Sequence, residues 1–307
     1  MIKQLLQLVF QIVPFCLLTQ AGTAIADNHE RFKNVKITST QVSDGLYMLT
    51  GAGGNMAVSI GKNGTYLVDD QFAPLTERIL TAIKSLGGDV PKFLLNTHWH
   101  GDHTGGNENF GKQGSIIVAH ENVRERMSSD QFIKAFNRKV EPAPEVALPV
   151  ITFEEGVNFH WNGDVLRVRH QPNAHTDTDS FVQFKAANVI HTGDLYFSGM
   201  YPFIDGSSGG SITGVIAAAE QILAVADMNT KIIPGHGKLS NKAELTEYRD
   251  MLQLVESRIT KMIAEGKTRL QIVEAKPTAD LDAKWGGGFM KPDKWVSIVY
   301  DGLREES

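Results

Sequence analysis

Four side chains that can bind a metal ion lie within six residues, in the run His-Trp-His-Gly-Asp-His at positions 98–103. Imidazole and carboxylate groups are the ligands that zinc accepts where no thiolate is present. The run follows a strand predicted over residues 92–96, and a sharp turn at Gly101 would direct alternate side chains into one cavity. A lone histidine is usually a hydrogen-bonded structural residue, but four ligand-type residues at this spacing predict a metal site.

Three more ligand-type residues follow predicted strands later in the chain. His175, Asp194 and His236 each lie shortly after a strand-like run, and Gly235 and Gly237 beside His236 let the backbone approach closely. Residues just past strand ends collect on one rim of a sheet core. We therefore predict that these three residues join the first four in one site.

Strand-like and helical runs alternate along the chain, without a long linker or an internal repeat. Strands are predicted over residues 35–38, 46–50, 56–60, 65–68, 92–96, 116–119, 157–161, 165–170, 180–184, 189–192 and 231–233. Helices are predicted over residues 74–86, 211–225, 242–264 and 292–303, with a shorter one near Leu270. Two runs of strands, each accompanied by helices, predict an α/β fold of two mixed sheets packed face to face with helices outside.

The first 26 residues have the pattern of a secretory signal peptide. Lys3 precedes the apolar run 5–18, and Ala24-Ile25-Ala26 is a typical cleavage sequence. The apolar run is shorter than the roughly 20 residues of a membrane span, and Pro14 interrupts it. We expect a periplasmic or secreted protein with no stable membrane anchor after cleavage, and a single domain over residues 27–307.

Cleavage removes Cys16, the only cysteine of the chain. The expected mature chain has no disulfide, no thiolate nucleophile and no thiolate ligand, so its stability must come from the large core that 281 of the 307 residues can form. Its formal net charge changes from −5 to −6, because the loss of Lys3 leaves 29 basic against 35 acidic residues. An acidic chain without clustered Lys and Arg is not expected to bind nucleic acid.

The H-x-H-x-D-H motif at 98–103, with the later His, Asp and His, resembles the metallo-β-lactamase superfamily. The resemblance covers most of the mature chain, from about Gly45 to Gly237. It implies an αβ/βα four-layer sandwich with a cleft for two metal ions at the sheet edges. It also implies the ligands of each zinc ion, which are His98, His100 and His175 for the first, Asp102, His103 and His236 for the second, and Asp194 as the bridge between them.

Two zinc ions about 3.5 to 4 Å apart can share a hydroxide, because zinc lowers the pKa of its water from 15.7 to about 7. The hydroxide then attacks a carbonyl or phosphoryl centre, and no protein nucleophile is needed. Beyond binding metal, Asp102 is predicted to orient the hydroxide or to pass a proton to the leaving group. Asp69 or Asp70 is a candidate for orienting a ligand imidazole, although a turn or helix cap before Pro74 explains the pair equally well.

The resemblance also bears on the substrate, because Asp194 stands where most β-lactamases of this superfamily carry Cys or Ser. A bridging Asp resembles thioesterases of the glyoxalase II kind, lactonases and phosphodiesterases. We predict a metal-dependent hydrolase of a small-molecule cyclic amide or ester, a β-lactam or a lactone, with a thioester and then a phosphodiester as alternatives. A mononuclear iron enzyme that oxidises persulfides and a noncatalytic metal-binding protein stay open. Ligand type alone also leaves iron or manganese open in place of two zinc ions, and the oligomeric state is not readable.

Several other residues invite a functional interpretation. Tyr196, Tyr201 and Lys238 are candidates for substrate contact, although packing or surface exposure explains such residues more often. His120 and His170 lie on or beside predicted strands, so they are predicted to be hydrogen-bonded or surface residues rather than ligands.

Overall fold

The computed structural model describes residues 30–305. The predicted signal peptide, residues 1–26, lies outside the described residues, so cleavage, export and a single domain over residues 27–307 stay predictions. Residues 30–34 belong to one unit, and Val35 begins a second that holds every strand and helix named below. None of the helices in the described part of the chain is long and apolar enough to cross a membrane.

Seven strands form the first sheet. They are β1 (Thr38–Ser43), β2 (Leu46–Thr50), β3 (Met56–Gly61), β4 (Gly64–Val68), β5 (Phe93–Leu95), β6 (Ile116–His120) and β9 (Ile151–Phe153), in the order β1-β2-β3-β4-β5-β6-β9. The first four are antiparallel neighbours, whereas β5, β6 and β9 join in parallel. Parallel strands are covered on both faces, which accounts for the uninterrupted apolar sequence Phe93-Leu94-Leu95.

Six strands form the second sheet. They are β10 (Gly156–Trp161), β11 (Asp164–His170), β12 (Ser180–Phe184), β13 (Val189–His191), β14 (Lys231–Ile233) and β15 (Ser240–Asn241), in chain order across the sheet. All neighbours are antiparallel except β13 and β14, which are parallel. A separate hairpin consists of β7 (Gln131–Ile133) and β8 (Arg138–Val140).

Nine α-helices accompany the sheets in the described part of the chain from Val35 onward. They are α1 (Thr76–Ser85), α2 (Gly101–Thr104), α3 (Asn107–Lys112), α4 (Glu121–Met127), α5 (Ile212–Val225), α6 (Lys242–Ala264), α7 (Arg269–Glu274), α8 (Asp282–Trp285) and α9 (Pro292–Glu305). Side-chain caps define where the longer ones begin: Ser211 accepts a hydrogen bond from Gly214 N, and Asn241 from Glu244 N.

The core lies in two layers. Between the sheets, Val68 and Leu95 of the first sheet share one apolar cluster with Val168 and Val182 of the second. On the outer face of the second sheet, a larger cluster joins strand residues such as Ile232 to apolar residues of α5, α6 and α9. The two mixed sheets with helices outside confirm the predicted αβ/βα four-layer sandwich.

Short elements account for most differences from the predicted secondary structure. The strand predicted over residues 35–38 instead occupies Thr38–Ser43. The short helices α2, α3 and α4 and the β7-β8 hairpin were not predicted, because segments of three to seven residues are too short to show a hydrophobic period.

Candidate metal centre

The seven predicted ligands lie together at one rim of the sandwich, where strands of both sheets end. The motif at 98–103 follows β5 of the first sheet, and the other three residues follow β11, β13 and β14 of the second. The seven residues form three overlapping groups, and within each group the ligand atoms lie within 4.8 Å of one another. The first group is His98, His100 and His175; the second is His98, His103 and Asp194; the third is Asp102, His103 and His236. Residues 138 positions apart in the sequence thus share one cluster.

Asp194 lies between these groups. Its Oδ1 is 3.0 Å from His103 Nε2, and its Oδ2 is 3.5 Å from His175 Nε2 and 3.4 Å from His236 Nε2. One carboxylate therefore contacts histidines from both predicted ligand sets. That position is the one the family resemblance implies for a bridging ligand.

The histidines are oriented by acceptors outside the cluster. His103 Nδ1 donates to Asp69 Oδ2 at 2.8 Å, and His175 Nδ1 donates to the carbonyl oxygen of Phe203 at 2.7 Å. His100 Nε2 lies 3.1 Å from Asp205 Oδ2, to which it donates. A ring nitrogen that donates outward leaves the other nitrogen with a lone pair, which is the form that binds a metal.

The inward nitrogens consequently face one another without a proton to share. His100 Nδ1 and His175 Nε2 are 2.8 Å apart, and two lone pairs at that distance repel. Within the described part of the chain, the buried Nε2 atom of His98 has no hydrogen-bond partner. Buried polar atoms are rarely left in this condition, so the donor set fits a bound cation.

Charge balance inside the cluster supports the same interpretation. Burial alone would raise the pKa of Asp194, yet neighbouring histidines, chiefly His103, hold it well below its usual range. Burial lowers the pKa of His175 to about 4. Burial also opposes protonation of His236, but the carboxylates of Asp194 and Asp102 raise its pKa to about 9. The carboxylates are thus ionised, and a metal ion would replace the protons that balance them.

Glycines bring other segments against the ligands. A Cβ at position 54 would collide with the His103 ring, and one at position 235 would collide with Asp194 Oδ1. Gly101 behaves differently, because it is the first residue of α2 and a Cβ there would meet nothing within 4 Å. The chain does turn at position 101, where the short helix begins, but the turn does not depend on the residue being a glycine.

Asp69 and Asp70 have different surroundings. Asp69 accepts hydrogen bonds from His103 Nδ1, from Thr97 N at 2.7 Å and from Thr97 Oγ1 at 2.8 Å. Asp70 Oδ1 instead accepts from Gly106 N at 2.8 Å, and burial raises the pKa of Asp70 well above its usual range. Of the two candidates, Asp69 is the residue that orients a ligand imidazole.

The two tyrosines named as candidates for substrate contact are buried and form hydrogen bonds within the protein. Tyr196 is buried and its hydroxyl lies 2.8 Å from Ser240 Oγ. Tyr201 is also buried, and its hydroxyl donates to Asp282 at 2.8 Å. Lys238 is exposed and lines a cavity of about 490 Å³ together with His236, so it is the one candidate of the three that borders the metal centre.

Asp205 and Phe203 were not predicted as parts of the site. The Asp205 side chain is buried and accepts hydrogen bonds from His100 and from Ser208 Oγ at 2.7 Å. The backbone carbonyl of Phe203 holds His175. A contact made by a backbone carbonyl cannot be seen in the residue types. The acidic side chain of Asp205, in contrast, is a signal that the sequence does contain.

Comparison with known proteins gives the family. The model of the metallo-beta-lactamase superfamily matches residues 51–237, and the chain belongs to this superfamily. The predicted class of enzyme, a metal-dependent hydrolase, agrees with this family.

The individual proteins that the chain resembles share less than 30% of its sequence. A hydroxyacylglutathione hydrolase of Nitrosococcus oceani is 28% identical over 197 residues, which are 64% of this chain and 66% of that enzyme. The chain thus spans just under two thirds of that relative. A metallo-beta-lactamase from Pontibacter korlensis has a TM-score of 0.58 at 21% identity, covering 71% of this chain and 99% of that one. The DIM-1 metallo-beta-lactamase has a TM-score of 0.58 at 20% identity, covering 72% and 99%. These two structures show the fold.

Proposed function

We propose that this chain is a dinuclear zinc hydrolase that cleaves a cyclic amide or ester, a β-lactam or a lactone. The position of Asp194 carries the proposal, because its two oxygens contact histidines of both predicted ligand sets. A carboxylate in that place suits two cations better than one. When bound, the zinc ions supply a nucleophile from water at neutral pH and polarise the substrate carbonyl.

The protein's own contribution is to hold the ligands and to move a proton. Asp102 is the ligand carboxylate on the open side of the cluster, with 29% of its side chain exposed, and its Oδ2 lies 3.3 Å from His236 Nε2. Asp194, by contrast, is buried. An accessible carboxylate beside the reacting group can accept a proton and return it to the leaving group, so we assign Asp102 this second role.

Thioester hydrolysis is the second candidate. The relative from Nitrosococcus oceani is named a hydroxyacylglutathione hydrolase, and its similarity extends over 64% of this chain. The solved β-lactamases are less similar in sequence and support the fold alone. The signal-peptide pattern of residues 1–26 supports action in the periplasm or outside the cell, where β-lactams are encountered.

The test begins with purified protein, in which metals are counted by elemental analysis. Hydrolysis of a cephalosporin reporter, a lactone and a thioester is then followed for the wild type and for Asp102→Asn. Glu108→Gln is the matched control, because this carboxylate lies on α3 and pairs with Lys112. Two zinc ions per chain and hydrolysis lost in Asp102→Asn alone are expected.

The three substrates rank the candidates. Cleavage of the thioester alone would favour the second candidate over the first. One iron per chain, or no hydrolysis of any of the three, would contradict the proposal.

A further inference from the structure

Two exposed phenylalanines lie close to ligand histidines and have no part in holding them. Phe136 is 48% exposed and Phe289 is 55% exposed. Burying apolar rings is a main source of folding stability, so exposed rings grouped around a reactive centre indicate a surface that binds something.

Phe136 stands beside the first ligand group. Its ring centroid lies 4.8 Å from that of Phe203, which is only 5% exposed. The Phe203 ring in turn stacks on His100, at 5.7 Å and an interplanar angle of 24°, and lies 5.6 Å from His175. One ring therefore separates the exposed Phe136 from two of the ligands.

The hairpin that carries Phe136 is fixed to the same turn that orients His100. Phe136 lies between β7 and β8, where Asn137 has a φ of +48° and reverses the chain. Lys134 N donates to Ser207 Oγ at 3.1 Å. Ser207 is two residues from Asp205, the acceptor for His100. The turn around Asp205 and Ser207 therefore contacts both the hairpin that carries Phe136 and the ring of His100.

Phe289 stands beside the second ligand group. Its ring lies 6.4 Å from His236 and 6.3 Å from Phe197. The buried Phe197 ring stacks on His236, at 5.0 Å and 20°. The next residue, Met290, is buried in the core, which anchors the segment and leaves Phe289 on the surface.

We propose that Phe136 and Phe289 are specificity-determining walls that hold an apolar, preferentially aromatic, substituent of the substrate beside the metal centre. The inference rests on the proposed hydrolase function and names the substrate class within it. An aromatic substituent would cover apolar surface that is now in water and would contact ring faces or edges, an arrangement that aromatic pairs favour.

The experiment uses two substrates with the same scissile ring, one carrying a methyl and the other a benzyl side chain. The variants are Phe136→Ala, Phe289→Ala and, as a matched control, Phe132→Ala. Phe132 lies on β7 of the same hairpin and is 52% exposed, and no described ring contact joins it to a ligand histidine. We expect the wild type to prefer the benzyl substrate. Each wall variant should lose about 3- to 10-fold in kcat/KM for the benzyl substrate alone, and the control should lose nothing.

A binding measurement separates this inference from the proposed function. Calorimetry with the ring-opened benzyl product measures affinity without turnover, and the two wall variants should bind it about 3- to 10-fold more weakly than Phe132→Ala. If the wild type hydrolyses neither substrate, the proposed function fails while the affinities still decide the role of the walls. If it hydrolyses both equally, or if the wall variants bind the product as Phe132→Ala does, the inference is overturned and the hydrolase function stands.

Discussion

The carboxylate of Asp69 joins His103 to Thr97. One of its oxygens accepts hydrogen bonds from His103 Nδ1 and Thr97 Oγ1, both at 2.8 Å, and the other accepts from Thr97 N at 2.7 Å. The Thr97 hydroxyl also lies 3.1 Å from His98 Nδ1. A single buried acid thus fixes the directions of two ligand rings.

Asp69→Asn should weaken zinc binding by about 10- to 100-fold, as is usual when an outer hydrogen-bond partner of a metal ligand is lost. Zinc retention in competition with a chromophoric chelator measures the effect. Asp70→Asn is the matched control, because the raised pKa of buried Asp70 makes an amide a fair substitute and its carboxyl contacts Gly106 N. Equal zinc loss in both variants would contradict the assigned role of Asp69.

Gly54→Ala should disrupt the second ligand group, because the added methyl group would overlap the ring of His103. Gly101→Ala, inside the motif itself, should be harmless because its methyl group would enter open space. The expected outcome is at most one zinc ion per chain in the first variant and the wild-type metal content in the second, by elemental analysis. The prediction fails if the two variants retain the same amount of metal.

Removing the metal should destabilise the fold, because a metal that binds only the folded state adds to its stability, and His100 Nδ1 and His175 Nε2 are then left 2.8 Å apart without a cation. At a free zinc concentration about 1,000 times Kd, bound metal adds about 4 kcal/mol to the free energy of unfolding per site. Chelation should therefore lower Tm, and zinc, but not magnesium, should restore it. A Tm that does not respond to chelator would mean that these residues bind no metal.

We expect the protein to lose folding stability in mild acid because of His120 and His170. Their rings stack at 3.6 Å. His120 Nδ1 accepts a hydrogen bond from Asn122 N, which only a neutral ring can do, and His170 Nδ1 donates to Asp179 O. Burial, and then the repulsion that a protonated His120 would exert, lowers the pKa of His170 to about 4. Burial also lowers the pKa of His120.

Because these folded-state pKa values lie below the unfolded value of about 6.5, the unfolded chain binds more protons in acid. The stability contributed by the neutral pair is complete above about pH 6.5 and falls as the pH drops toward about 4. Tm measured from pH 7 to 5 should decline less in His170→Phe than in the wild type. The exposed His160→Gln control should keep the wild-type slope, and an identical decline in all three proteins would exclude the pair as its source.

The sequence predicted which residues form the cluster more completely than it predicted which groups orient them. His98, His175 and His236 were predictable because ligand-type residues after buried strands form a local pattern. The Phe203 carbonyl was not, because a backbone acceptor has no residue type, and contacts across long stretches of chain leave no periodicity. Likewise, the apolar face of α1 predicted that helix to within about two residues at each end. The helix α2 is a single turn of four residues, which is too short to show an apolar face.

The predicted ligands are divided between the two sheets, with the motif at 98–103 following a strand of the first and the other three residues following strands of the second. A bound ion is therefore a cross-link between distant parts of a chain whose described residues include no cysteine. A disulfide persists in the unfolded chain, whereas this link exists only while the folded protein holds the ligands together, and it opens when ligands are protonated or the metal is withdrawn. The two sheets of the metal-loaded protein should then unfold in one cooperative step, while the metal-free protein is able to lose one sheet before the other.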